Sequence, residues 1–287
     1  MSLLNVFILA VVQGLAELLP VSSSAHVVVA EKLLGLDPSS PAMTLLLVML
    51  HTGTMLAVIV YFWRQWRETY FKDAAAFKAI AARIVVATAL TAIVGEIIIK
   101  AIERTVLRGL PHSEIEDLFS HLEFIAPALA AAGCLILAAG LFEGRARREA
   151  ATEGELGLRD AGLIGMVQGL CLPFRGFSRS GATISTGMLL GVSKLRAERF
   201  SFALAVVLTP PVVAREALRL ARAAHGHEGA LSSAALTSVI GAVLAFMAGL
   251  VALKWLSRWL ESGRWYLFGI YCLAAAVAVG LLHHAGF

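Results

Sequence analysis

Apolar runs close to the roughly 20 residues that a helix needs to cross a bilayer recur along these 287 residues and leave no room for a separate soluble domain. Charged residues are 15% of the chain and hydrophobic ones 59%, whereas a soluble domain carries about 25% charge. Mean hydropathy is +0.80. The chain reads as an all-α polytopic membrane protein, a single membrane domain over 1–287.

Two of the apolar runs are broken by polar residues. The first break lies in Gln13-Gly14-Leu15-Ala16-Glu17-Leu18-Leu19-Pro20-Val21-Ser22-Ser23-Ser24-Ala25-His26. A charged group costs about 2.5–3.5 kcal/mol at the centre of an inserted helix, so such a cluster marks a functional site. Proline followed by serines that can cap a new helix predicts two half-helices in a re-entrant hairpin. The second break, Pro173-Phe174-Arg175-Gly176-Phe177-Ser178-Arg179-Ser180-Gly181, repeats the design.

The two stretches also share letters. Val12-Gln13-Gly14-Leu15 matches Val167-Gln168-Gly169-Leu170, and Leu33-Leu34-Gly35 matches Leu189-Leu190-Gly191. Three spans are expected after each hairpin, at 42–63, 80–102 and 124–142 and then at 200–222, 234–255 and 265–284. Because three is odd, the second copy must enter the membrane from the opposite side. The reading is an inverted-topology repeat, repeat one 1–143 and repeat two 158–287, each half a re-entrant helix hairpin plus three transmembrane helices. Lys and Arg concentrate at 64–79 and 144–159, which should face the cytoplasm, and acids at 103–123, which should lie outside. Pro210-Pro211 is expected to kink its span.

The net charge of +4 does not indicate nucleic acid, since the basic residues sit in short connections where orientation signals belong. The N-terminus lacks the basic start of a signal peptide and is expected to be retained. Cys134, Cys171 and Cys272 have no C-x-x-C spacing and are expected to be small buried packing residues. Glu96 and Lys100, at i, i+4, read as a structural pair; mid-span His51 reads as a packing residue ahead of its alternative, lining the site.

The chemistry of the tips follows from their residue types. Ser178, Arg179, Ser180 and Gly181 open a half-helix, where backbone N–H groups, hydroxyls and a guanidinium fork suit a phosphate. Ser22, Ser23 and Ser24 open the opposing one. Gln13 and Glu17 share a helix face and offer oxygens to a hard divalent cation, Mg or Ca, whose shell substrate phosphates would complete. His26 follows Ser22 at i, i+4 and is placed to activate a hydroxyl or protonate a leaving group.

These residues resemble the undecaprenyl-pyrophosphate phosphatases of bacteria, also called bacitracin-resistance proteins. The family's (E/Q)-G-x-x-E-x-L-P-V-S-S-[ST]-x-H is met from Gln13 to His26, and its P-G-x-S-R-S-G-x-T-I from Gly176 to Ile184. The resemblance implies hydrolysis of a C55 polyprenyl diphosphate to the monophosphate and inorganic phosphate at a site open to the outer face of the inner membrane, with a divalent cation. It implies Glu17 as metal ligand or acid/base group, Ser23 and His26 as nucleophile and base candidates, and Arg179 as phosphate clamp. Ser22, Ser24, Ser178, Ser180 and Gly181 would be substrate-binding neighbours. Two positions depart from the pattern: Gln13 stands where many members have Glu, and Arg175 where the motif has Pro. The nucleophile, whether Ser23, His26 or water, stays open, as does a homodimer. The rival reading is a transporter or flippase for a phosphate-bearing substrate, built on the same inverted repeat.

Overall fold

The computed structural model describes residues 2–37, 40–105, 122–146, 156–223, 228–261 and 263–286. Among them are ten helices and no strand: α1 (Leu3–Leu18), α2 (Ser23–Leu33), α3 (Pro41–Thr69), α4 (Ala74–Thr105), α5 (Leu122–Ala146), α6 (Leu158–Cys171), α7 (Arg179–Leu189), α8 (Lys194–Ala223), α9 (Glu228–Glu261) and α10 (Tyr266–His284). Local chemistry sets several starts. Ser2 Oγ accepts from the Asn5 N–H at 3.2 Å, Ser40 Oγ from Met43 at 3.3 Å, and Asp73 Oδ1 from Ala76 at 2.7 Å. Each bond satisfies a donor that the first helical turn leaves open.

Five helices, α3, α4, α5, α9 and α10, contain segments long and apolar enough to cross a membrane. Their outward faces carry exposed Val60, Val85, Ile97, Val251, Val277 and Leu281, a surface that suits lipid and not water. α8 was expected as a sixth span. It is 30 residues long, but Lys, Arg and Glu crowd both its ends and leave only residues 200–214 uncharged. It runs as a helix through Pro210 and Pro211. The Glu96–Lys100 pair forms at 2.9 Å on the exposed side of α4. Cys272 is buried as expected, whereas Cys134 is exposed. Most of the acidic connection, 106–121, and residues 147–155 of the basic one lie outside the described residues.

Packing exchanges partners between the two halves of the chain. α1 lies against α9 and α6 against α4, while α5 and α10 pack on each other. The repeated glycines make the first two approaches close. A Cβ on Gly14 would stand 2.8 Å from the Ala245 carbonyl oxygen of α9, and one on Gly169 would stand 2.8 Å from that of Thr91 on α4. Backbones meet there as they do at small-residue interfaces in membranes. Phe62, Phe200, Phe202 and Trp265 fill the centre, and the Trp265 indole N–H donates to Ser185 Oγ at 2.9 Å.

Gly169→Val should therefore force α6 off α4 and destabilise the fold by roughly 1–3 kcal/mol, seen as a lower apparent melting temperature in detergent. Gly280→Ala, where a Cβ would meet nothing within 4 Å, should leave it unchanged or raised.

Candidate active site

The two breaks meet. α1 stops before Pro20, which lacks the N–H a helix would need, and the chain turns through Ser22 at φ 67°. That left-handed backbone costs a non-glycine residue of order 1–3 kcal/mol. Ser22 Oγ does not cap α2; it lies 3.2 Å from Ser24 Oγ. In the opposing tip Gly176 adopts φ 103°, and a Cβ there would lie 2.5 Å from the Ile125 carbonyl oxygen. Ser178 then caps α7 by accepting from the Gly181 N–H at 3.2 Å. Two bonds tie tip to tip: Gly176 N–H donates to Ser24 Oγ, and Ser180 Oγ to the Leu19 carbonyl, each at 3.3 Å.

Glu17 is the centre of the contact. Its Oε1 accepts from Arg179 Nη2 at 3.0 Å, and its Oε2 accepts from Ser23 Oγ at 2.5 Å and from Gln13 Nε2 at 3.2 Å. His51 Nδ1 lies 3.0 Å from Gln13 Nε2 and 3.8 Å from Glu17 Oε2. An amide nitrogen only donates, so His51 Nδ1 accepts in this arrangement. The Glu17 and Arg179 side chains are 16% and 25% exposed, too buried for water to screen the pair fully. Beside them a cavity of about 20 Å³ is lined by Glu17, His51, Thr54, Arg179 and Phe202. That volume holds about one water.

Gln13, Glu17, Ser23 and Arg179 thus converge as the sequence predicts. Ser178, Ser180 and Gly181 sit at the tip, but their polar groups are turned into the protein, in the cap and in the bond to Leu19. His26 points elsewhere. Its Nδ1 lies 2.7 Å from the Ser22 carbonyl, which can only accept, so Nδ1 carries the proton and the neutral ring's Nε2 accepts from Tyr271 OH at 2.7 Å. The group in contact with the Ser23 hydroxyl is Glu17. Gln168, the repeat partner of Gln13, donates to Thr91 Oγ1 at 3.1 Å between α6 and α4 and takes no part in the cluster.

Two residues enter the site from beyond the motifs. His51, which the sequence favours as a packing residue over a cavity-lining one, lines the cavity, and Tyr271 carries no sequence signal. His51-Thr52-Gly53-Thr54 was the only signal for the first, a polar patch in mid-span. The second lies 245 residues from the imidazole it binds.

The cluster offers a hard divalent cation one carboxylate and two neutral side chains. Glu17 supplies a carboxylate, Gln13 an amide whose oxygen and nitrogen ends are nearly isosteric, and His51 an imidazole. Among the described residues no group of three His, Cys, Asp or Glu stands at ligand spacing. A metal held here would need the amide and further oxygens, as when Mg²⁺ is bound by one or two carboxylates and substrate phosphates.

Residues 6–278 match the family described as Bacitracin resistance protein BacA. The chain belongs to the BacA family. It is 58% identical over 278 residues to Undecaprenyl-diphosphatase 2 of Acinetobacter baylyi, covering 96% of this chain and 95% of that protein. It is 36% identical to Undecaprenyl-diphosphatase of Anaeromyxobacter sp., covering 98% of this chain and 88% of the relative. With the protein of that name from Rhodopirellula baltica identity is 34%, over 98% of each chain. The likeness of this BacA-family chain to its relatives therefore includes both tips.

Removing one partner of a partly buried ion pair strands the other. Arg179→Met should lower stability by roughly 2 kcal/mol, and adding Glu17→Gln should recover more than half of that loss. Thermal unfolding of parent, single and double variants in detergent checks the coupling.

Proposed function

We propose that this BacA-family chain hydrolyses undecaprenyl diphosphate to the monophosphate and inorganic phosphate, recycling the lipid carrier of cell-wall precursors, with bacitracin resistance as a consequence. The observation that carries the reading is the Arg179–Glu17–Ser23 contact across two helix N-termini, in a chain matched end to end by proteins named undecaprenyl-diphosphatase.

In this reading the guanidinium of Arg179 and the N-terminus of α7 bind the terminal phosphate, where two forked donors and a helix dipole act on developing charge. Ser23 Oγ attacks phosphorus and passes its proton to Glu17 Oε2. The bond from phosphorus to the bridging oxygen breaks, and the polyprenyl monophosphate leaves. Glu17 gives the proton it took from Ser23 to the departing monophosphate oxygen. Ionised again, it deprotonates a water that attacks the phosphoserine phosphorus, and the Ser23 oxygen leaves with that proton from Glu17 as inorganic phosphate is released. His26 holds the Ser22 carbonyl and so fixes the turn that aims Ser23. Glu17, Gln13 and His51 are the residues that would hold a divalent cation, which when bound supplies charge neutralisation on the diphosphate.

The same reading takes α1–α2 and α6–α7 as re-entrant hairpins of repeats 1–143 and 158–287, in the inner membrane with the site opening to the periplasm. The exchanged packing of α1 on α9 and α6 on α4 supports an in-plane two-fold relation. Helix ends assigned to one side are neighbours: His283 lies 3.9 Å from Glu123, and Tyr61 OH donates to Ser257 Oγ at 2.9 Å.

Purified protein given long-chain polyprenyl diphosphate and Mg²⁺ should release phosphate; a carrier that only moves its substrate would release none. Arg179→Lys should lose about 10² or more in kcat, because a point charge cannot bridge two oxygens as a fork does. Near-parental turnover would remove Arg179 as the clamp. Glu17→Gln should be inactive, and Ser23→Ala in the same background should cost little more, as expected of residues acting as one unit. In a background without the three native cysteines, Asp37→Cys should label from outside and Asp73→Cys from the cytoplasm. Labelling from the same side would overturn the inverted repeat.

A further inference from the structure

Helix α10 touches the first tip with two consecutive residues. The thiol of buried Cys272 donates weakly to the Pro20 carbonyl at 3.4 Å. Tyr271, half exposed, puts its hydroxyl 2.7 Å from His26 Nε2. The phenol and imidazole planes lie within 10° of parallel with centroids 5.7 Å apart, inside the roughly 4.5–7 Å range of attractive ring pairs. The two carbonyls reached in this way, Pro20 directly and Ser22 through His26, bracket the bend between α1 and α2.

The Ser22 carbonyl depends on the imidazole. Ser22 holds a left-handed backbone at φ 67° and gives α2 no side-chain cap, a conformation that persists only where its surroundings fix it. The backbone N–H of His26 reaches the Ser22 carbonyl only at 3.4 Å, whereas the ring Nδ1 lies at 2.7 Å. The ring is therefore the closer support. In a neutral imidazole that support exists only with the proton on Nδ1, since the other tautomer sets two acceptors face to face. Which nitrogen carries the proton is set by what the other one meets, and Nε2 meets the Tyr271 hydroxyl.

We infer that Tyr271 is a positioning residue for the proposed hydrolysis: by donating to Nε2 it holds His26 in the Nδ1–H tautomer, and so holds the strained turn that sets the Ser23 hydroxyl against Glu17. This role presupposes the reading of Ser23 as the group that attacks. Tyr271 acts through His26 and not on the phosphate. A tyrosine that served only as an interfacial aromatic or as a rest for the lipid tail would use its ring, which phenylalanine keeps.

Tyr271→Phe keeps the stack and deletes the donor. In the full-length protein in maltoside micelles it should lower kcat for phosphate release from long-chain polyprenyl diphosphate about three- to tenfold, the effect of one neutral hydrogen bond. KM and the apparent melting temperature should stay near the parent's. In a His26→Asn background the shorter amide can still donate to the Ser22 carbonyl but has no nitrogen facing the phenol, so Tyr271→Phe should cost nothing further there. The ring itself gives a readout independent of turnover. With nitrogen-15 histidine at about pH 8, where an ordinary imidazole is neutral, the His26 signals are assigned by their loss in His26→Asn. They should show the proton on Nδ1 in the parent and a mixture of tautomers in Tyr271→Phe. A proton on Nε2 in the parent, or a tautomer that Tyr271→Phe leaves unchanged, would overturn the assignment whatever the activity. So would parental kcat in Tyr271→Phe, with or without a raised KM, or an equal loss in both backgrounds. A parent that releases no phosphate while the tautomer shifts as expected would sink the hydrolase reading and leave the hold of Tyr271 on His26 standing.

Discussion

The pair formed by Glu17 and Arg179 is the interaction on which the arrangement of the tips depends. Each group alone would be a charge of high cost in an apolar interior. Together, at 3.0 Å, they hold two interrupted helices end to end, and the remaining carboxylate oxygen is left to orient Ser23 and Gln13. The same contact keeps the cavity small. In the proposed reading a diphosphate that enters would take over part of the guanidinium from the carboxylate, and the ion pair would hold that place until then.

That contact is held in place by helices that come unusually near. Gly14 and Gly169 let α1 and α6 rest on the backbones of α9 and α4, so the broken helices are clamped by unbroken ones from the other half of the chain. Strain at Ser22 is tolerated because the turn is fixed from several sides, by the His26 bond to its carbonyl and by the bonds of Ser24 and Leu19 to the second tip. Neither half has its own complete core.

Much of this was legible in the residues. Pro20, the serine runs and Gly176 mark the breaks, because each alters what the backbone can do locally. The shared face of Gln13 and Glu17, and the place of Arg179 at the opposing tip, were also legible from spacing and residue type, whereas the ion pair between Glu17 and Arg179 was not. Direction was not. The i, i+4 spacing of Ser22 and His26 is real, yet it is the Ser22 carbonyl that the ring binds, and Tyr271 takes its other nitrogen. Likewise Gln13 and Gln168 hold the same place in the matching Val-Gln-Gly-Leu stretches, but one faces the cluster and the other Thr91. Their surroundings come from α3 and α4, far along the chain. Helix lengths also exceed the apolar runs, as in α3 and α4 at 29 and 32 residues, because hydrogen bonding continues past the point where the side chains become polar.

The exchange of partners has a consequence for biosynthesis. During synthesis Glu17 emerges 162 residues before Arg179, and α1 well over 200 residues before the start of α9 at Glu228. For most of translation the first broken helix therefore has neither its counter-ion nor its supporting surface. The nascent tip must wait in a half-inserted, water-accessible state or in the shelter of the insertion machinery, and it can lock only when the last quarter of the polypeptide arrives. A nonsense truncation late in the reading frame would then disable the earliest-made part of the site as surely as a change within it.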